Sequence, residues 1–244
     1  MTSFDYIGQL QAILESIRGT QLGAIQEAGR LTAAAITAGG VVQAFGSGHS
    51  HMIAEEAFFR AGGLAPINPI FDARLQFFNG AMASTQAERE PGMAARILER
   101  ETLRPEDIGV VISNSGRNAA PVEMAELMRA RGLQVIAITN LGQSRQSTAR
   151  TASGKRLFEV ADLVIDTCCP VGDAVLQLPG LEQRIGPAST VAGAAIMNSI
   201  MIEAALALQS LGQAVPLLPS ANTADSDAGL TALLAKCAGR VRYF

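Results

Sequence analysis

The chain has 244 residues, 48% of them hydrophobic, and a formal net charge of -3. That length buries a substantial core, in one large α/β domain or a domain with helical additions. The weak negative charge gives no general attraction to nucleic acid or an anionic membrane, and three cysteines with two histidines make neither a disulfide framework nor a zinc-finger spacing.

Residues 1–38 read as one long amphipathic helix. Tyr6, Leu10, Ile13, Leu14, Ile17, Leu22, Ile25, Ala28, Leu31 and Ala35 recur at three-to-four spacing, with a bend expected near Gly19 and Gly23. Standing ahead of the first strand, it has to lie against the sheet, a second subunit or both. The start lacks a basic segment followed by a compact apolar core, and no stretch reads as the ~20 apolar residues of a membrane span, so a cytoplasmic protein is expected.

Val41 to Phe45 is the first strand, and it ends in Gly46-Ser47-Gly48-His49-Ser50. A helix follows with Ile53, Ala54, Ala57 and Phe58 on one face and Gly62-Gly63 as its stop. These glycines are not a dinucleotide fingerprint, because the third glycine is missing. Ala65 to Phe71 is an apolar run interrupted by proline, suited to a second strand near an edge. Residues 72–101 mix helix and loop. Within them Glu88 reads as a surface residue, or as one that a lid or partner subunit would carry to a site.

Ile108 to Ile112 has the β-branched run of a central parallel strand, and it stops at Ser113-Asn114-Ser115-Gly116-Arg117-Asn118. Pro121 suits the first position of the next helix, whose apolar stripe is Val122, Met124, Ala125, Leu127 and Met128. A strand, a tight polar turn and a helix N-terminus aim free N–H groups and the positive end of the helix dipole at one spot, which suits an anion. Ser113 and Ser115 add hydroxyls, Gly116 admits close approach and Asn118 offers an amide. The plain alternative is an ordinary capped turn. The Ser47 turn repeats the construction.

Leu133 to Thr139 is a further strand, 140–155 an exposed loop, and Ala161 to Asp166 another strand. Cys168 to Gln183 has no clear period. Arg184 to Thr190 opens an apolar helix that runs through Leu206, and from Ser220 on a polar stretch precedes a short helix carrying Lys236, Arg240 and Arg242. Five strands separated mostly by helices indicate a three-layer αβα sandwich with a five-stranded parallel sheet, preceded by a long N-terminal helix. The expected division is a helical extension at 1–38, the sandwich at 39–215 and a tail at 216–244. Ligands of such sheets gather at the carboxyl ends of the strands, where both serine turns lie.

Four stretches together resemble the sugar isomerase, or SIS, domain family: Gly46 to Ser50, Ser113 to Asn118, Ala161 to Asp166, and Gly186-Pro187-Ala188-Ser189-Thr190. The segments GSGHSHMIAEE, SNSGRN and SGKRL are similar to the UPF0309, phosphoheptose isomerase-like subgroup. The resemblance implies a flavodoxin-like sandwich and a small-molecule sugar phosphate as ligand. Ser47, Ser50, Ser113, Ser115, Gly116 and Asn118 would grip the phosphate, with Ser189 and Thr190 close by. It also implies a homodimer or homotetramer in which a neighbouring subunit completes the site. Two positions depart from the family: Arg60 stands where phosphoheptose isomerase and the N-acetylmuramic acid 6-phosphate etherase look to place a catalytic glutamate, and no histidine follows His51.

Moving a proton between C2 and C1 of a sugar phosphate needs a base. The candidates are Glu55 and Glu56 on the helix after the first turn, and His49 and His51 beside it. His51 and Glu55 are four apart and share a helix face, as a base with its orienting partner or as two metal ligands. Two ligands do not make a metal site, and no metal or cofactor is expected. A solvated Glu-Glu face and an exposed i,i+4 contact are the plainer readings. Three functions remain open: an aldose-ketose isomerase working through an enediol, an amino-sugar phosphate etherase or lyase, and a phosphosugar-binding regulatory protein without turnover.

Overall fold

The structure is a computed structural model that describes residues 3–220 and 227–244. Two helices lead the chain, α1 (Ser3–Thr20) and α2 (Leu22–Thr37), in place of one bent helix. They break at Gln21, whose side-chain oxygen accepts the Asp166 N–H at 3.0 Å and so pins the corner to the end of a strand. Then come β1 (Val42–Gly46), α3 (His51–Ala57), β2 (Ile67–Ile70), α4 (Ala81–Arg89), α5 (Met93–Leu98) and β3 (Ile108–Ile112). The chain continues through α6 (Ala119–Ala130), β4 (Gln134–Thr139), α7 (Leu141–Gln146), α8 (Leu157–Val160) and β5 (Leu163–Asp166). It ends with β6 (Ala174–Leu176), β7 (Ile185–Pro187), α9 (Ser189–Ser210) and α10 (Asp227–Cys237).

β1 to β5 form one parallel sheet in the order β2-β1-β3-β4-β5. Pro69 is confined to the edge strand β2, where a missing N–H costs no ladder bond. Alternation along β3 sends Ile108, Val110 and Ile112 to the face covered by α1, α2, α3 and α9, and Val111 to the face covered by α5, α6 and α8. Both faces are therefore buried, which is why the strands read as continuous apolar runs and not as alternating ones. In this strand order the chain reverses direction across the sheet between β1 and β3, and a crevice opens there at the carboxyl ends.

Several local expectations change. α6 begins at Ala119, so Pro121 lies two residues inside its start, still within the turn where no N–H is needed. The stretch after β4 is not all loop: Asn140 caps α7 by accepting Gln143 N–H at 2.9 Å, and Ser144 is buried. The region with no clear period folds as an antiparallel hairpin of β6 with β7, so α9 starts at Ser189 and not before Gly186. α9 also has the length and apolar composition of a membrane span, contrary to the reading that no stretch does. Here Ala192, Ile196, Ile200 and Ala204 are buried against α2 and the sheet. Much of the polar stretch after Ser220 lies outside the described residues. The end of the tail is strapped down: Arg240 Nη2 donates to Asp107 at 2.5 Å, Arg242 Nη1 to Glu101 at 3.0 Å, and Arg242 N–H to Asn68 at 2.9 Å.

Candidate functional site

At the β1/β3 crevice a cleft of about 250 Å³ is lined by Ser47, Gly48, His49 and Ser50 from the first turn and by Ser113, Asn114 and Ser115 from the second. Phe77, Ser84, Thr85 and Glu88 form its opposite wall, and Gln143 of α7 closes one side. A smaller recess below shares His49, Ser50 and Asn114 and adds Thr167, Ser189 and Thr190. The structure thus brings Ser47, His49, Ser50, Ser113 and Ser115 to one cleft, with Ser189 and Thr190 beside it.

The second turn is built around Gly116. Its φ is +58°, and a Cβ there would stand 2.7 Å from Thr139 Oγ1 and 2.8 Å from Ser144 Oγ. Gly116 N–H donates to Ser113 Oγ at 3.2 Å, which closes the turn and leaves the Ser113 hydroxyl proton free to donate elsewhere. Asn118 is buried and precedes α6, but it does not cap that helix through its side chain; its Oδ1 accepts from Arg150 Nη1 at 3.1 Å. The first N–H groups of α6 are therefore not taken by the usual side-chain cap.

The first turn is fixed from beneath. His51 is 7% exposed, its Nδ1 donates to the Gly48 carbonyl at 2.5 Å, and its ring stands edge-on to Phe71. Nε2 lies 3.8 Å from Glu55, which is itself exposed. Glu56 is ion-paired with Arg60 on the same helix and accepts from Asn198 at 3.5 Å. So His51, Glu55 and Glu56 do not line the cleft, and Arg60, at the position where a glutamate was expected from the resemblance, is held by Glu56. Among the catalytic candidates His49 does line it, exposed and tilted against the Phe77 ring at 4.8 Å.

Glu88 is the carboxylate that does face the cleft. Ser47 Oγ donates to its Oε1 at 2.8 Å, from across the gap between the β1 turn and α4. Ser84, Thr85 and Glu88 share one side of α4, a polar side turned inward, and Ser84 is 3% exposed. The signal in the sequence was that polar i, i+1, i+4 set. Nothing local says that the set faces a crevice rather than solvent.

The N-terminus of α9 is already satisfied. Asp173 accepts from Ala188 N–H at 3.0 Å, Ser189 N–H at 2.7 Å and Ser189 Oγ at 2.8 Å, so a carboxylate occupies the place of an anionic ligand there. At the Ser113–Asn118 turn, among the described residues, no carboxylate takes that place.

The SIS domain model matches residues 5–140 of the chain. A UPF0309 protein of Geobacillus kaustophilus is 39% identical over 222 residues, covering 91% of this chain and 88% of the relative. A UPF0309 protein of Listeria monocytogenes is 40% identical over 237 residues, covering 97% and 96%. Among solved structures, a phosphoheptose isomerase from Francisella tularensis superposes with a TM-score of 0.55 at 17% identity, covering 84% of this chain and 98% of that one. One from Neisseria gonorrhoeae gives 0.53 at 14%, covering 82% and 95%. These last two show a shared fold. A crevice flanked by two serine turns at the β1/β3 reversal, the family match over more than half the chain and relatives near 40% identity lead to one conclusion: this chain is a member of the SIS domain family and of its UPF0309 group.

Proposed function

We propose that the chain binds a sugar phosphate and interconverts its aldose and ketose forms. The carrying observation is the placement of Glu88, a carboxylate oriented by Ser47 Oγ at 2.8 Å, in the same cleft as the Ser113–Ser115 turn. Ser50, Ser113, Ser115 and Asn118 hold the phosphate together with the backbone of Gly116 and the α6 N-terminus. Glu88 Oε1 is occupied by Ser47, and among the described residues Oε2 has no hydrogen-bond partner, which leaves it for the substrate. Glu88 takes the C2 proton and an acid protonates the C1 oxygen to give the enediol; return of a proton to C1 with loss of the O2 proton gives the ketose. His49, at the rim on Phe77, is placed to pass the oxygen-bound proton. His51, Glu55 and Glu56 support the first turn and its helix in this reading.

The phosphoheptose isomerases of the same fold support this reaction class, and Arg60 in place of the expected glutamate is what moves the base to Glu88. The test is proton NMR of aldose, ketose and amino-sugar phosphates incubated with the protein in deuterated water. Wild type exchanges the C2 proton of one panel member. Glu88→Gln keeps the Ser47 contact, retains ligand binding and loses exchange by about 100-fold or more, the scale of a general base. Saturable binding with no exchange in wild type would leave a phosphosugar sensor instead. Exchange unaffected by Glu88→Gln would return the base to His49.

A further inference from the structure

Arg117 belongs to the second serine turn yet has no role in the reading above. Its Nε is buried with no hydrogen-bond partner. Its carbonyl accepts Arg150 N–H at 2.9 Å, and Arg150 Nη1 reaches Asn118, the last residue of the same turn, at 3.1 Å. The segment after α7 thus lays a second arginine over the turn. Arg60, Arg74, Arg100 and Arg156 each have a carboxylate in ion-pair contact; Arg117, Arg150 and Arg89, at the end of α4, like Arg131, Arg145 and Arg184 elsewhere among the described residues, have none.

The three belong to one electrostatic neighbourhood. Burial, then the positive fields of Arg117 and Arg89, lower the Arg150 guanidinium pKa from its ordinary value, and Glu88 acts in the opposite sense. Three guanidinium charges, one of them Arg117 of the turn itself, set against one carboxylate leave a surplus of two positive charges beside serine and asparagine groups that are neutral. A phosphate monoester carries about -1.5 to -2 at pH 7, which balances that surplus, whereas a carboxylate balances half of it. Guanidinium forks also match phosphate oxygens in geometry.

We infer that Arg117 and Arg150, with Arg89 behind them, are the charged half of the anion site and select a dianionic phosphate group over a carboxylate. This deepens the phosphosugar reading and rests on it for the location of the phosphate. The hydroxyls and amides of the serine turn set geometry, and the arginine side chains supply the charge that those neutral groups lack. Asn118 is held by Arg150 at the junction of the two.

The probe is inorganic phosphate titrated against the intact protein by phosphorus NMR, with acetate as a competitor and Ser115→Ala as a companion variant. Wild type binds phosphate and is not displaced by equal acetate. Arg150→Gln weakens phosphate binding about 10-fold or more with an unchanged melting temperature in phosphate-free buffer, and Arg150→Lys restores part of it. Arg117→Gln does the same. If Ser115→Ala weakens binding and both arginine variants leave it unchanged, the inference fails while the serine cradle stands. If the arginine variants weaken binding and Ser115→Ala does not, the arginine site stands and the cradle reading fails. No phosphate binding by wild type, or acetate competing equally, overturns the inference.

Discussion

Replacing Gly116 by alanine tests whether the second turn is built by close approach or only by a permissive backbone. At φ +58° an L-residue loses about 1–2 kcal/mol. The added Cβ would also stand 2.7 Å from Thr139 Oγ1 and 2.8 Å from Ser144 Oγ, both on fully buried residues, and overpacking of that kind costs about 1–3 kcal/mol. The two together come to about 2–5 kcal/mol. Gly154 is the internal control, since its φ of +69° is similar and nothing stands within 4 Å of its Cβ position, so only the backbone cost of about 1–2 kcal/mol remains. Urea unfolding of the two alanine variants reads the difference directly as a shift in midpoint at constant slope. Equal losses for Gly116→Ala and Gly154→Ala would refute the close-approach argument. So would a fully stable Gly116→Ala protein, because the turn would then tolerate a side chain where the structure leaves no room.

Two further outcomes follow from the same geometry. Asp72 is held by Arg74 and by Arg100, and its carboxyl is pulled down from 3.8 to about 2 chiefly by the Arg74 hydrogen bond. A depressed carboxylate contributes stability that is complete above about pH 4 and is lost as pH falls toward 2. With both arginines partly solvent-screened, this amounts to about 1–2 kcal/mol, and the stability difference between wild type and Asp72→Asn should shrink by that much between pH 5 and pH 2; a constant difference would count against the assignment. Ile202 and Leu206 of α9 are 60% and 54% exposed on an otherwise core-forming helix. Sedimentation velocity is expected to show a dimer or tetramer that Ile202→Glu with Leu206→Glu shifts toward monomer, and a monomeric wild type at tens of micromolar would remove the subunit contact from the functional reading.

The central strands were legible because burial on both faces leaves uninterrupted β-branched runs, as in Ile108–Ile112 and Val135–Ile138, and each run ends at a small-residue turn. The serine turns were legible for the same reason: a strand's end and a helix's start fix where their N–H groups aim. Short elements were not. β6 and β7 have three residues each and include Gly186 and Pro187, too few for a period of two to register. The break at Gln21 depends on a partner, Asp166, that lies far along the chain.

The carboxylate that faces the crevice fell in the same gap between local pattern and distant contact. Glu55 and Glu56 stand next to a recognisable turn, but helix geometry carries them past the crevice: Glu55 remains exposed, and Glu56 is taken by Arg60. Glu88 stands in a stretch with no apolar stripe, and it reaches the crevice because β2 and the residues after it cross the sheet edge and return α4 over the ends of β1 and β3. Adjacency along the chain is thus a poor guide to which carboxylate faces a crevice formed where the strand order reverses, since the wall opposite the strands' own turns comes from a crossover. The residues proposed to hold phosphate obey the opposite rule. Such residues must present backbone N–H groups at a strand end, so chain adjacency finds them, whereas the arginines inferred to add charge there arrive from elsewhere: Arg150 from the segment after α7, and Arg89 from the end of the helix that carries Glu88.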